Sequence, residues 1–189
     1  MKSKILGRLT VIVVCLVISG CATMRYVKPN AQRWAKGNFE ATLPIGWVVY
    51  NAPGYQLYLT KDGFSLQSII ITFSKTNKEL PNTKRKITEN MLLQEVSELI
   101  LDELRLNQAY KNLSLLSNKP VQLGGLDAFR LEFTYNNDIF VKYHKILYGF
   151  ILSKRYYEIE YTATQQHYYD KSVNDFQSFI DSFRSKVSN

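Results

Sequence analysis

Two histidines, one closely spaced pair of acids and a scatter of serines are the groups in this chain equipped for chemistry. Neither His144 nor His167 has a partner at ligand spacing, so a metal set would have to be assembled across strands. His144 sits in an extended run that meets a second one after Ser153-Lys154. A two-residue turn there puts His144 on the face of Tyr157, Ile159 and Tyr161. A three-residue turn puts it with Glu158 and Glu160, where a histidine and two carboxylates make a possible metal set. Neither turn has its usual Gly or Asn, so both registers stand open. The plainer expectation is a surface or hydrogen-bonded histidine and no metal. No serine stands in Gly-x-Ser-x-Gly or in Ser-x-x-Lys on a helix, and the pairs Ser74-Lys75 and Ser153-Lys154 fall on turns that give no reason for a depressed lysine pKa. The expectation is therefore a protein that is not an enzyme, with no catalytic residue, no metal and no cofactor.

Recognition is the better-supported chemistry. Arg130, Glu132, Lys142, Glu158 and Glu160 fall on neighbouring strands, so some of them share a face and offer a polar patch to a ligand or partner. Tyr143, Tyr148, Tyr156, Tyr157, Tyr161, Tyr168 and Tyr169 cluster late in the chain, and tyrosine suits binding surfaces because a rigid ring carries a polar tip. The candidate binding surface is Tyr156, Tyr157, Glu158, Glu160, Arg130 and Lys142. Its competitor is ordinary architecture, with cross-strand ion pairs on a solvated face and tyrosines packed in the sheet.

The elements that position these residues follow from periodicity. Residues 38–43, 48–50, 56–60 and 64–73 read as four strands of an antiparallel meander, with turns at Pro44 to Gly46, Pro53-Gly54 and Lys61-Asp62-Gly63. Residues 75–86 form a basic surface loop. Thr88 caps a helix whose Leu92, Val96, Leu99, Ile100 and Leu104 recur at helical spacing. Strands over residues 113–121, 128–135, 140–152 and 156–163 make a second meander. Tyr169, Val173, Phe176, Ile180, Phe183 and Val187 then give the stripe of a helix lying on a sheet. The order strands, helix, strands, helix predicts an α+β fold, an antiparallel sheet with packed helices.

The chain starts differently. Lys2, Lys4 and Arg8 precede an apolar run over residues 9–18, too short to span a bilayer comfortably, and Ile18-Ser19-Gly20-Cys21 follows. This segment resembles a bacterial lipoprotein signal, in which an aliphatic and two small residues precede an obligatory cysteine. The resemblance implies cleavage between Gly20 and Cys21 and acylation of Cys21, which becomes the first residue. Its rivals are an ordinary secreted protein cut after Gly20 and an uncleaved amphipathic anchor. In Gram-negative members an aspartate after the cysteine favours inner-membrane retention, so Ala22 implies the outer membrane, on its periplasmic face. Residues 21–37, with Arg25, Lys28, Arg33 and Lys36 beside Tyr26 and Trp34, are expected to be an irregular tether holding the domain roughly 20–25 Å from the membrane.

Cleavage would leave 169 residues, enough for one domain with a sizeable core, here residues 38–189. Of 24 Lys and Arg, 21 would remain against 16 acids, about +5. With no Gly-rich loop and no basic helix, that balance suits an anionic membrane surface and excludes nucleic acid as a partner. With Cys15 removed and Cys21 acylated no disulfide is possible.

Within the domain, Phe39-Glu40-Ala41-Thr42-Leu43-Pro44-Ile45-Gly46-Trp47 is similar to the opening of PsbP-like domains. Their closing elements resemble Tyr157-Glu158-Ile159-Glu160-Tyr161-Thr162-Ala163 and Phe179-Ile180-Asp181-Ser182-Phe183. The resemblance implies an α/β/α sandwich and a role in binding larger assemblies. The resulting expectation is a membrane-anchored envelope lipoprotein acting as a non-catalytic protein-binding or assembly-stabilising module. The alternative is a small-molecule or metal-binding envelope lipoprotein.

Overall fold

Runs with apolar residues on one face build eleven strands among the described residues, and two amphipathic helices cover the larger sheet they form. The computed structural model describes residues 24–30 and 32–187; the signal segment, Gly20 and Cys21 lie outside them. The strands are β1 (Met24–Tyr26), β2 (Arg33–Lys36), β3 (Phe39–Thr42), β4 (Val48–Tyr50), β5 (Leu57–Thr60) and β6 (Gln67–Lys75). Helix α1 (Leu93–Leu106) precedes β7 (Lys111–Leu123), β8 (Leu126–Asn136), β9 (Lys142–Leu152) and β10 (Arg155–Thr164). Helix α2 (Tyr168–Ser182) and the short β11 (Arg184–Ser185) close the chain.

Eight strands form one antiparallel sheet in the order β1-β4-β5-β6-β10-β9-β8-β7. The two meanders meet at the β6/β10 pairing, which runs from Arg155 opposite Lys75 to Ala163 opposite Gln67. A second sheet, β11-β3-β2, lies with α2 on one face of the first. Between them is a core of Trp47, Leu59, Ile69, Phe150, Ile159, Tyr161, Phe176, Phe179 and Phe183. On the other face α1 buries Val96, Leu99, Ile100 and Leu104 against Phe129, Leu131, Phe133 and Leu147. The architecture is the expected α+β sandwich of helix, sheet and helix.

Four sequence expectations need correction. The described part of the expected tether is paired: β1 pairs with β4, β2 pairs with β3, and between them the buried Val27 donates its N–H to the Trp47 carbonyl at 2.8 Å. The four residues Arg33-Trp34-Ala35-Lys36 do not alternate and are charged at both ends, so nothing in them read as a strand. Strand β3 leaves the first meander to lie between β2 and β11. Helix α1 starts at Leu93 rather than after Thr88, because the Glu95 carboxylate accepts the Leu92 N–H at 2.9 Å and so satisfies the first turn. Helix α2 ends at Ser182, since Arg184 and Ser185 pair with Glu40 and Phe39, and Val187 falls beyond the helix.

Candidate functional site

The last hairpin decides which side chains can cooperate. Leu152 pairs with Arg155, and Ser153 and Lys154 take φ of 49° and 62°, so the turn has two residues and the left-handed geometry of a type I′ hairpin. Non-glycine residues accept that conformation here because the alternative register would turn either Phe150 on β9 or Tyr157, Ile159 and Tyr161 on β10 out of the core. His144 therefore lies opposite Ala163, on the α2 face, away from Glu158 and Glu160.

Its acid partner is Glu132 on β8. The carboxylate takes a hydrogen bond from His144 Nε2 at 2.8 Å, one from Tyr169 Oη at 3.0 Å and one from Arg130 at 2.7 Å. Burial pushes the imidazole below its ordinary pKa and outweighs the pull of Glu132, so His144 is neutral at neutral pH and its Nε2–H is the donor. Burial works to raise the Glu132 pKa, but the Arg130 guanidinium and the other donors bring it below the ordinary carboxylate value. Every strong group here is consumed by another, which makes the cluster a clamp between sheet and α2.

The other face offers free chemistry. Helix α1 covers the β7, β8 and β9 half, and the β6 and β10 strands run out from beneath it. A cavity of about 290 Å³ opens there, lined among others by Thr72, Ile100, Glu103, Tyr156, Glu158 and Glu160. Glu160 is paired at 2.8 Å with Lys145, which is 4% exposed and also donates to Tyr110 Oη at 3.1 Å. Burial works against the Lys145 ammonium, but Glu160 and the neighbouring tyrosines raise its pKa overall. Glu103 is consumed by four hydrogen bonds of 2.6 to 2.9 Å from Asn82 and Thr83, which fasten residues 75–86 to α1.

Glu158 makes no ion pair among the described residues. Burial, then the charge of Glu160, push its carboxyl up to about 7. Beside it the buried Tyr156 hydroxyl has no aligned hydrogen-bond partner, although the two groups are close enough to influence each other's pKa. A half-buried carboxyl that titrates near neutrality, next to an unsatisfied hydroxyl, is suited to hold a guanidinium or ammonium group. A cation would return the carboxyl to its charged form and donate hydrogen bonds to the carboxylate and to the Tyr156 oxygen.

The six residues proposed from sequence do not form one surface. Tyr156, Glu158 and Glu160 line the groove, whereas Tyr157, Arg130 and Lys142 belong to the α2 face, and both tyrosines are buried. Sequence reasoning missed Lys145, Tyr110 and Glu103. The one visible signal was Lys145 itself, a lone lysine in the strand run from His144 to Phe150, all of which is buried. Among the described residues no group of three His, Cys, Asp or Glu could hold a metal, and no helix is long and apolar enough to cross a membrane.

No family model matches the sequence, and neither does any curated protein. Solved structures do match. Cyanobacterial PsbP from Synechocystis sp. PCC 6803 superposes with a TM-score of 0.57 at 13% identity, over 89% of this chain and 95% of that one. The Ran-binding protein Mog1p of Saccharomyces cerevisiae gives 0.55 at 12% identity, over 88% of this chain and 97% of that one. A Bacteroides thetaiotaomicron protein gives 0.50 at 12% identity, over 82% of this chain and 48% of that one. At these identities the likeness is one of fold, and the fold of this domain is PsbP-like.

Proposed function

We propose that this chain is an envelope lipoprotein, anchored through an acylated Cys21, whose PsbP-like domain binds a protein partner without catalysing a reaction. The groove beside α1 receives a cationic side chain of that partner. The observation that carries this reading is the unpaired Glu158 carboxyl beside the unsatisfied Tyr156 hydroxyl at the open half of the sheet. The Ran-binding name of Mog1p supports protein recognition by this fold, the lipobox-like Ile18-Ser19-Gly20-Cys21 supports the anchor, and Ala22 after the cysteine supports an outer-membrane address.

The test is photo-crosslinking in intact cells from a probe at Thr72, which lines the groove, with a second probe at Lys84 on the neighbouring loop. A discrete protein adduct from Thr72 that disappears in Glu158→Lys and weakens in Glu158→Gln is the expected result. Adducts unchanged in both variants, with circular dichroism showing the fold intact, would sink the reading. The cavity volume favours one second reading, since about 290 Å³ lies at the lower end of small-ligand pockets. A small polyamine is then the ligand, and spermidine should raise the melting temperature of the parent but not of Glu158→Gln.

A further inference from the structure

We infer that the β1 margin of the large sheet seats the domain directly on an anionic bilayer, with no slack between anchor and fold. This rests on acylation of Cys21 as proposed above. Strand β1 is paired from Met24 onward, with Met24 opposite Tyr50, so only Ala22 and Thr23 separate the fold from the acylated residue. Three residue steps span at most roughly 11 Å whatever their conformation, which is less than half a small domain's width. Met24 is therefore held close to the bilayer surface, and the margin it begins is the part of the sheet best placed to meet the headgroups.

Its composition fits that position. Met24 and Tyr26 are 60% and 65% exposed, and Tyr55 and Phe64 also show much of their surface. Tyr50, Tyr55, Tyr58 and Phe64 form one cluster of rings with centroids 5.0 to 5.7 Å apart. Beside them is a groove of about 440 Å³ lined by Arg25, Lys36, Trp34, Tyr50 and Tyr55. Arg25 makes no ion pair among the described residues, and the Lys36 ammonium donates only to the Tyr55 and Gln56 carbonyls, at 3.4 and 3.2 Å. From residue 24 to residue 60 the chain carries Arg25, Lys28, Arg33 and Lys36 against a single acid, Glu40, which Arg33 holds at 3.2 Å. Amphipathic rings at the interface and unpaired cations for lipid phosphates are what a headgroup layer selects. The opposite margin of the sheet, β7, then faces away from the membrane.

The test uses the full lipidated protein in phosphatidylethanolamine vesicles containing phosphatidylglycerol, nitroxide-labelled at Pro53→Cys on the seated margin or at Ser114→Cys on β7. Mass spectrometry of the mature N-terminus accompanies it. With Cys21 acylated, the label at 53 should be shielded from a water-soluble nickel relaxant and exposed to dissolved oxygen, and the label at 114 should be fully aqueous. Arg25→Gln together with Lys36→Gln should lower the docked population roughly tenfold or more, because each cation near an anionic surface contributes to the attachment. Equal aqueous access at 53 and 114 in acylated protein would overturn the seating and leave the anchor standing. An N-terminus without acyl chains would overturn the lipoprotein reading, and the seating with it.

Discussion

The imidazole of His144 lies face to face on the ring of Tyr169, with centroids 3.7 Å apart and planes within 1°. Both groups also donate to the same oxygen of Glu132. Strand β9 and the first turn of α2 are thus joined through one carboxylate on β8, which Arg130 neutralises from the other side.

Removing that carboxylate should be costly. Glu132→Ala leaves a mostly buried Arg130 unpaired and strips His144 and Tyr169 of their acceptor, so a loss of about 2–4 kcal/mol is expected. Tyr169→Phe, which keeps the stack and loses one hydrogen bond, should cost about 1 kcal/mol. Urea denaturation measures both, and a cost below that of Tyr169→Phe for Glu132→Ala would show that the cluster does not clamp α2.

Glu158 sets a pH dependence of unusual sign for a carboxylate. Its folded pKa of about 7 lies above the ordinary 4.5, so the folded state holds the proton more tightly than the unfolded chain. Stability falls as pH rises through that window, by something on the order of 1–3 kcal/mol. His144 contributes the opposite slope, because its folded pKa lies below the ordinary 6.5 and its stabilisation is lost as pH falls. The difference between parent and Glu158→Gln isolates the acid. The variant should match the parent near pH 4 and exceed it at pH 8, and identical pH profiles would refute the assignment.

The Lys145–Glu160 pair is the test of what a buried ion pair is worth here. Either Lys145→Met or Glu160→Leu alone strands a charge beneath the sheet and should cost about 3–5 kcal/mol, whereas the double variant should recover most of that loss. Additive losses in the double-mutant cycle would mean that the partners act independently.

Gly149 is required by a close approach rather than by its backbone angle. A Cβ there would fall within the Phe129 ring, and that ring is sealed under α1 and stacked on Tyr156 with centroids 6.4 Å apart. Gly149→Ala should destabilise by about 1–3 kcal/mol or more through overpacking. Phe129→Leu in the same background should return part of the loss, which calorimetry would register as a partial recovery of Tm.

Strands with clean alternation were legible in the chain, as Phe129, Leu131 and Phe133 opposite Arg130 and Glu132 on β8 illustrate. So was the amphipathic stripe of α1. The site was only half legible, because its composition depends on a register set by Ser153 and Lys154, residues that do not announce a type I′ turn. Once that register is fixed, Glu158 and Glu160 go to one face and His144 to the other. No local pattern foretold that Glu103 would be held by Asn82 and Thr83, since the contact joins a loop to a helix about twenty residues away. The edge strands β1 and β2 were hidden for a related reason: runs of three and four residues, Met24–Tyr26 and Arg33–Lys36, give too short a period to read.

The pairing of β1 has a consequence for anyone who shortens this protein. Trimming to Asn38, where the clearest sequence signals begin, would delete two strands and leave Trp47 and Leu43 without the backbone partners that Val27 and Gln32 supply. The bared β4 and β3 margins would then present open rows of amide and carbonyl groups. A truncated form of that kind should polymerise edge to edge, whereas one that retains Met24 should stay a monodisperse species.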